Sequence, residues 1–160
     1  MILMKEIELR RQLVAMLSEP NAHLAFEKAV SDFPSEYYGT SVGGFVHTAW
    51  QLLEHLRIAQ WDIMEFSRDP KHVSPPFPDG YWPAKDDRAD NKAWNQSLEQ
   101  FKSDLNRMCD LITDESNDLF AKIPHGDGQT LLREALVLAK HNSYHLGQLV
   151  AIKKALTRSE

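Results

Sequence analysis

Cysteine is almost missing from this chain: Cys109 stands alone among 160 residues. One thiol closes no intrachain disulfide, so the fold has to rest on its core, and a reducing compartment, the cytoplasm, is expected. Within a helical stretch, Cys109 reads as a small packed side chain and not as a nucleophile. Lysine and arginine runs are missing too, and the formal net charge is −5. Non-specific duplex binding needs clustered cations that displace counterions, so no nucleic-acid partner is expected. No stretch reaches the roughly 18 apolar residues of a transmembrane helix, and no membrane partner is expected either. The N-terminal Met1-Ile2-Leu3-Met4 turns charged at Lys5-Glu6 and does not read as a signal peptide. Internal repeats, low-complexity tracts and the alternating runs of hairpin strands are absent.

What is present is an ordinary globular balance, 42% hydrophobic and 26% charged, enough for one domain over residues 1–160 with one sizeable core. The first helix is expected from about Lys5 to Leu17, with Ile7, Leu9, Leu13, Val14 and Leu17 at mostly helical spacing. Asn21 is the expected N-cap of a short helix reaching Val30, with Leu24 and Phe26 buried. Residues 35 to 43 read as a loop, with Gly39, Gly43 and Gly44 as its flexible points. Long helices are expected over Phe45–Ser67, Lys92–Asp114 and Thr130–Leu156, with a short element at Asp118–Ile123 and a turn at Pro124–Gly128. Between the first two of these lies residues 68 to 90, where Pro70, Pro75, Pro76, Pro78 and Pro83 exclude a regular helix. A connection of that length in a compact domain usually covers a site, and its Phe77, Tyr81 and Trp82 favour docking over mobility. The fold class is therefore all-α, a helical bundle with one long crossover.

Chemistry concentrates in the last helix, at His141-Asn142-Ser143-Tyr144-His145. Positions four apart on an α-helix lie about 40° apart around the axis, one turn from each other, so both imidazoles reach one point. The face around His141 also carries Glu134, Val137, Leu138, Gln148 and Ile152, which makes it the core-facing stripe. A third imidazole is available at His55, on a helical face with Thr48, Gln51, Leu52, Ile58, Ala59, Asp62 and Phe66. Three neutral imidazoles from two helices make an open metal site, with a position left for water or substrate. With seven histidines in the chain, the His-x3-His spacing alone carries little weight, and a core histidine satisfied without metal is the competing reading. The pair reads His-Asn-Ser-Tyr-His, so the glutamate of a metalloprotease helix is missing and peptide hydrolysis is demoted. His47, eight residues before His55 and roughly 80° off its face, reads as a helix-start residue, with a place at the rim of the site as the lesser alternative. His23, His72 and His125 read as surface residues, Glu54 and Arg57 as solvated flanks of His55, and the four tryptophans as packing.

These residues are also familiar as a set. His47-Thr-Ala-Trp-Gln-Leu-Leu-Glu-His55-Leu-Arg-Ile-Ala-Gln-Trp-Asp62, then His141-Asn-Ser-Tyr-His145-Leu-Gly147-Gln148, resembles the DinB-like superfamily. Its pattern is a histidine on the second long helix and a His-x3-His pair, often followed by Gly-Gln, on the last. The loop motif Gly80-Tyr81-Trp82-Pro83 looks like one branch of that family. The resemblance implies a four-helix bundle with a long crossover, a homodimer, and a divalent metal such as nickel or zinc on His55, His141 and His145. Its characterised relatives include mycothiol-dependent maleylpyruvate isomerase and bacillithiol transferases, in which the metal activates the sulfur of a low-molecular-weight thiol. Lys140 departs from the pattern, where an acidic residue is expected before His141. The leading expectation is a metal-dependent thiol S-transferase of detoxification or stress response acting on a small-molecule substrate. In it Asp62, Gln148 and Glu134 support the ligands or touch substrate, and residues 70–88 form a lid. A metal-dependent hydrolase using Asp62 as base, and a non-catalytic metal-binding module, stand as the alternatives.

Overall fold

The computed structural model describes residues 2–157, so Met1 and residues 158–160, at the ends of the expected domain, lie outside the described residues. Five helices follow in chain order: α1 (Ile2–Ser18), α2 (Phe26–Val30), α3 (Ala49–Arg68), α4 (Asn91–Thr113) and α5 (Leu131–Thr157). No strand forms among the described residues; one isolated bridge joins Lys122 and Thr130. The four long helices make the bundle, with α1 and α3 each packing on both α4 and α5. Among the described residues no helix is long and apolar enough to cross a membrane.

Local chemistry sets the helix ends. Thr48 and Gln51 form a reciprocal capping box, Oγ1 accepting from the Gln51 amide and Oε1 from the Thr48 amide. That box satisfies two orphan N–H groups and starts α3 at Ala49, not at the expected Phe45. Asp90 caps α4 through the Ala93 amide, and Thr130 caps α5 through the Arg133 amide. Asn21 does the opposite of what was expected. Its side chain donates to the carbonyls of Ala15 and Glu19 and closes the end of α1, so α2 starts only at Phe26. The element expected at Asp118–Ile123 is no helix: Asp118 Oδ1 accepts from the amides of Phe120 and Ala121, a local turn that competes with helix formation. Of the three loop glycines, Gly44 alone has a positive φ, 88°.

Two apolar clusters fill the bundle. One joins Phe33, Tyr38, Trp50, Trp94 and Phe101 to Leu52, Leu56, Leu149 and Ile152, with Tyr38 stacked flat on Trp94 at 4.0 Å. The other gathers Leu13, Met64, Met108, Ile112, Leu119, Leu131 and Leu138. Leu24, expected inside, is exposed, and so is Ile7. Arg10, one turn after Ile7's neighbour Glu6, is the buried member of that side of α1. α3 is the central helix, and its buried surface reaches well beyond one stripe to include Leu53, Gln60 and Glu65. Glu54 and Arg57, expected in solvent, form a half-buried ion pair at 2.8 Å.

Candidate metal centre

α3 carries His55 and α5 carries His141 and His145 to one point between the helices. His55 Nε2 lies 3.0 Å from His141 Nε2 and 3.1 Å from His145 Nε2, and one ring nitrogen from each lies within 4.8 Å of the others. His55 and His145 are buried and His141 is half-buried.

The far side of each ring fixes what the near side presents. His55 Nδ1 sits 2.8 Å from the main-chain carbonyl of Tyr81, which can only accept, so Nδ1 carries the proton. His145 Nδ1 donates in the same way to Gln148 Oε1 at 2.8 Å. A neutral imidazole protonated on Nδ1 has a lone pair on Nε2. The Nε2 atoms of His55 and His145 therefore aim two lone pairs at each other across 3.1 Å, an arrangement that a cation relieves. The third ring is held more loosely. His141 Nδ1 and Asn142 Oδ1 are buried atoms of adjacent residues, and neither reaches full hydrogen-bond geometry. From Asn142 a chain continues through Gln60 to the carbonyl of Phe101, tying α5 to α3 and α4.

A proton is a poor candidate for that cation. Burial pushes both His55 and His141 down to about 4, and burial lowers His145 as well. A metal fits better. Tetrahedral zinc–imidazole bonds of about 2.0–2.1 Å place neighbouring nitrogens roughly 3.4 Å apart, a few tenths of an ångström from the two separations made by His55 Nε2. All three donors are ring nitrogens, a set that zinc and nickel both accept. Two of the three rings donate their other N–H to an oxygen, as ligand histidines do.

The connection after α3 closes one side. Trp82 stacks on His55 at 3.8 Å, nearly parallel, and on its other neighbour His47 at 3.7 Å. His47 thus stands at the rim and is more than the helix-start residue it was read as, while Trp82 is a wall of the site as well as packing. A cleft of about 430 Å³ opens beside the cluster, lined among others by Phe45, Val46, His47, Trp82, Tyr144 and His145. No lysine, arginine, aspartate or glutamate lines it.

The expected acidic helpers lie elsewhere. Asp62 has both oxygens taken, Oδ1 by His72 Nε2 at 2.8 Å and Oδ2 by the Tyr81 hydroxyl at 2.7 Å. Glu134 is buried, pairs with Arg133 at 2.5 Å, and makes no hydrogen bond to a histidine among the described residues. His72, expected at the surface, has a side chain only 7% exposed because it is bound to Asp62. His23 and His125 are exposed, as expected. Cys109 is partly buried, and burial raises its thiol to about 11, so it is no nucleophile at neutral pH. Sequence reasoning missed the Tyr81 carbonyl, since a main-chain acceptor leaves no mark in residue identity. It also missed Asn142, although that residue stands between the two histidines. A family model described as the DinB superfamily matches residues 21–149. No curated protein and no solved structure matches the chain.

Proposed function

The chain belongs to the DinB superfamily, and from that premise we propose that it is a divalent-metal-dependent enzyme, a thiol S-transferase, with His55, His141 and His145 as the metal ligands. The observation that carries this reading is the pair of opposed Nε2 lone pairs, each locked in place by an oxygen behind its ring. Bound there, zinc or nickel lowers the pKa of a sulfur or oxygen donor and makes it an anionic nucleophile at neutral pH.

The chain's own residues do the rest. Tyr81 and Gln148 hold two rings in their tautomers, and the stacked Trp82 excludes water from the His55 side. The uncharged, partly aromatic lining of the cleft suits a neutral small molecule with an apolar body. In the overall reaction a sulfur–carbon bond forms between a low-molecular-weight thiol and an electrophile. The thiol proton ends on the product of an addition, or leaves with the displaced group of a substitution. Transfer of a thiol is favoured over hydrolysis because Asp62, the carboxylate a hydrolase would use as base, has both oxygens engaged.

The test starts with metal content, measured on protein purified without a histidine tag beside His145→Ala. About one metal per chain is expected in the wild type and none in the variant. Metal-loaded protein should then conjugate benzyl mercaptan to chlorodinitrobenzene, and chelation should stop it. Absence of metal after incubation with zinc and nickel would leave a metal-free binding module; loaded protein inert to thiol and electrophile would remove the transferase reading alone.

A further inference from the structure

We propose that Asp62 and Tyr81 are positioning residues for the metal centre: the Asp62 carboxylate holds the Tyr81 hydroxyl, and so sets the Tyr81 carbonyl that orients His55. The inference rests on the three-histidine reading and extends it to two residues that touch neither the metal position nor the cleft.

The geometry starts from helix periodicity. Asp62 follows His55 by two turns and stands on the same face of α3, about 10 Å along the axis. Tyr81 bridges these points. Its hydroxyl donates to Asp62 Oδ2 at 2.7 Å, and its carbonyl accepts from His55 Nδ1 at 2.8 Å. The other Asp62 oxygen takes His72 Nε2 at 2.8 Å. One carboxylate, itself 7% exposed, thus ties both ends of the segment 72–81 to α3. The His72 ring stands edge-on to Trp61 at 5.0 Å, which fixes it from the other side.

The segment is also packed against itself. The Gly80 amide donates to the Pro76 carbonyl at 2.7 Å. A Cβ on Gly80 would lie 2.7 Å from Pro76 Cδ and 2.8 Å from Pro75 Cβ. Those proline rings are stiff, so only glycine lets the chain pass there. Directly after Tyr81, Trp82 lies flat on His55. A shift of the Tyr81 main chain therefore moves both the acceptor behind His55 and the ring on its face. Such outer partners of ligand histidines typically change metal affinity by about 10–100-fold when removed. The Asp62 carboxylate and the Tyr81 hydroxyl act one step further out than the Tyr81 carbonyl, which places the expected effect at the lower end.

Tyr81→Phe removes the hydroxyl and leaves the carbonyl, so it isolates the strut from the acceptor. Asp62→Asn keeps the shape and weakens the hold on both partners. Two readouts apply to each: zinc affinity by chelator competition, and the His55 tautomer by ¹⁵N NMR of the metal-free protein. In the wild type, His55 is expected wholly in the Nδ1–H form. In both variants, zinc affinity falls about 10-fold and the Nε2–H form becomes populated, while His141→Ala binds no zinc at all. Unchanged affinity and an unchanged tautomer in Tyr81→Phe would overturn the inference and leave the metal centre standing. A wild type that binds no zinc would overturn the metal reading and this inference with it. Rescue of affinity in Asp62→Glu over Asp62→Asn would separate a held hydroxyl from a general loss of packing.

Discussion

Two buried polar sites in this bundle look alike by composition and differ in what they leave unfinished. Arg10, 4% exposed, reaches from α1 to the end of α4. Its guanidinium donates to the carbonyls of Ile112 at 2.7 Å, Asp114 at 3.1 Å and Asn117 at 2.7 Å, and to Glu6 at 2.6 Å. These are carbonyls that the last turn of α4 and the chain after it leave without helical partners, and Arg10 satisfies them. It brings its own positive charge and a carboxylate to balance it. The histidine cluster between α3 and α5 is built the other way. Its outer N–H groups are satisfied by Tyr81 and Gln148, and its inner nitrogens face each other as acceptors. One site is closed and does structural work; the other is left open in a form that could hold a cation. Burial of polar groups alone does not distinguish them, whereas the balance of donors and acceptors does.

The contrast breaks first under metal. Saturating zinc should stabilise the wild type by about 4 kcal/mol at a thousandfold excess over Kd, and chelation should remove all of it. His145→Ala should gain almost nothing. Thermal unfolding with and without zinc measures both. The metal-free protein should also be acid-sensitive, with a definite sign. His55 and His141 have folded-state values of about 4 against an ordinary 6.5, so the unfolded chain binds protons that the folded one refuses. Stability is then full above pH 6.5 and falls between pH 6.5 and 4. A flat profile across that window would mean that the rings are already charged or exposed.

Arg10→Met comes next. It keeps the apolar stem and strands the carbonyls of Ile112 and Asn117, while that of Asp114 keeps the Asn117 amide; the expected loss is about 3 kcal/mol in denaturant unfolding. Zinc stoichiometry should stay the same, because the closed site and the open one share no partner. A variant that lost zinc as well would show that the two are coupled through α4.

The open site was far easier to read from sequence than the closed one. Long amphipathic periods located α3, α4 and α5, and the four-residue spacing put His141 and His145 on one buried face. The faces of two helices then offered His55 as the third. The ends were misjudged where side chains compete for backbone, as Thr48 and Asn21 do. Arg10 left no signal because an arginine on a helix reads as solvated unless its acceptors are known, and these lie over 100 positions away. The job of residues 72–81 was hidden too, although their partners on α3 lie only 10 to 26 positions away. Their prolines and aromatics marked a docked connection, yet Asp62 reads as a base until its two donors are in view.

Gly147 gives the smallest and sharpest comparison. It lies inside α5 between His145 and Gln148, on an exposed face, and a Cβ built there meets nothing within 4 Å. Its φ is not positive, so nothing in the backbone demands glycine. Helix propensity alone predicts that Gly147→Ala stabilises the protein by about 0.5–1 kcal/mol. The neighbouring His145–Gln148 hydrogen bond spans one turn and does not involve that face, so zinc affinity should not change. Denaturant unfolding and chelator competition on the same sample read the two quantities separately. A gain in stability with intact zinc binding would mean that the ligand helix is rigid enough to tolerate its own improvement. A loss of zinc would instead show that the turn carrying Gln148 must flex to hold His145, and the open site would then depend on a softness that the closed one, fixed by Arg10, does without.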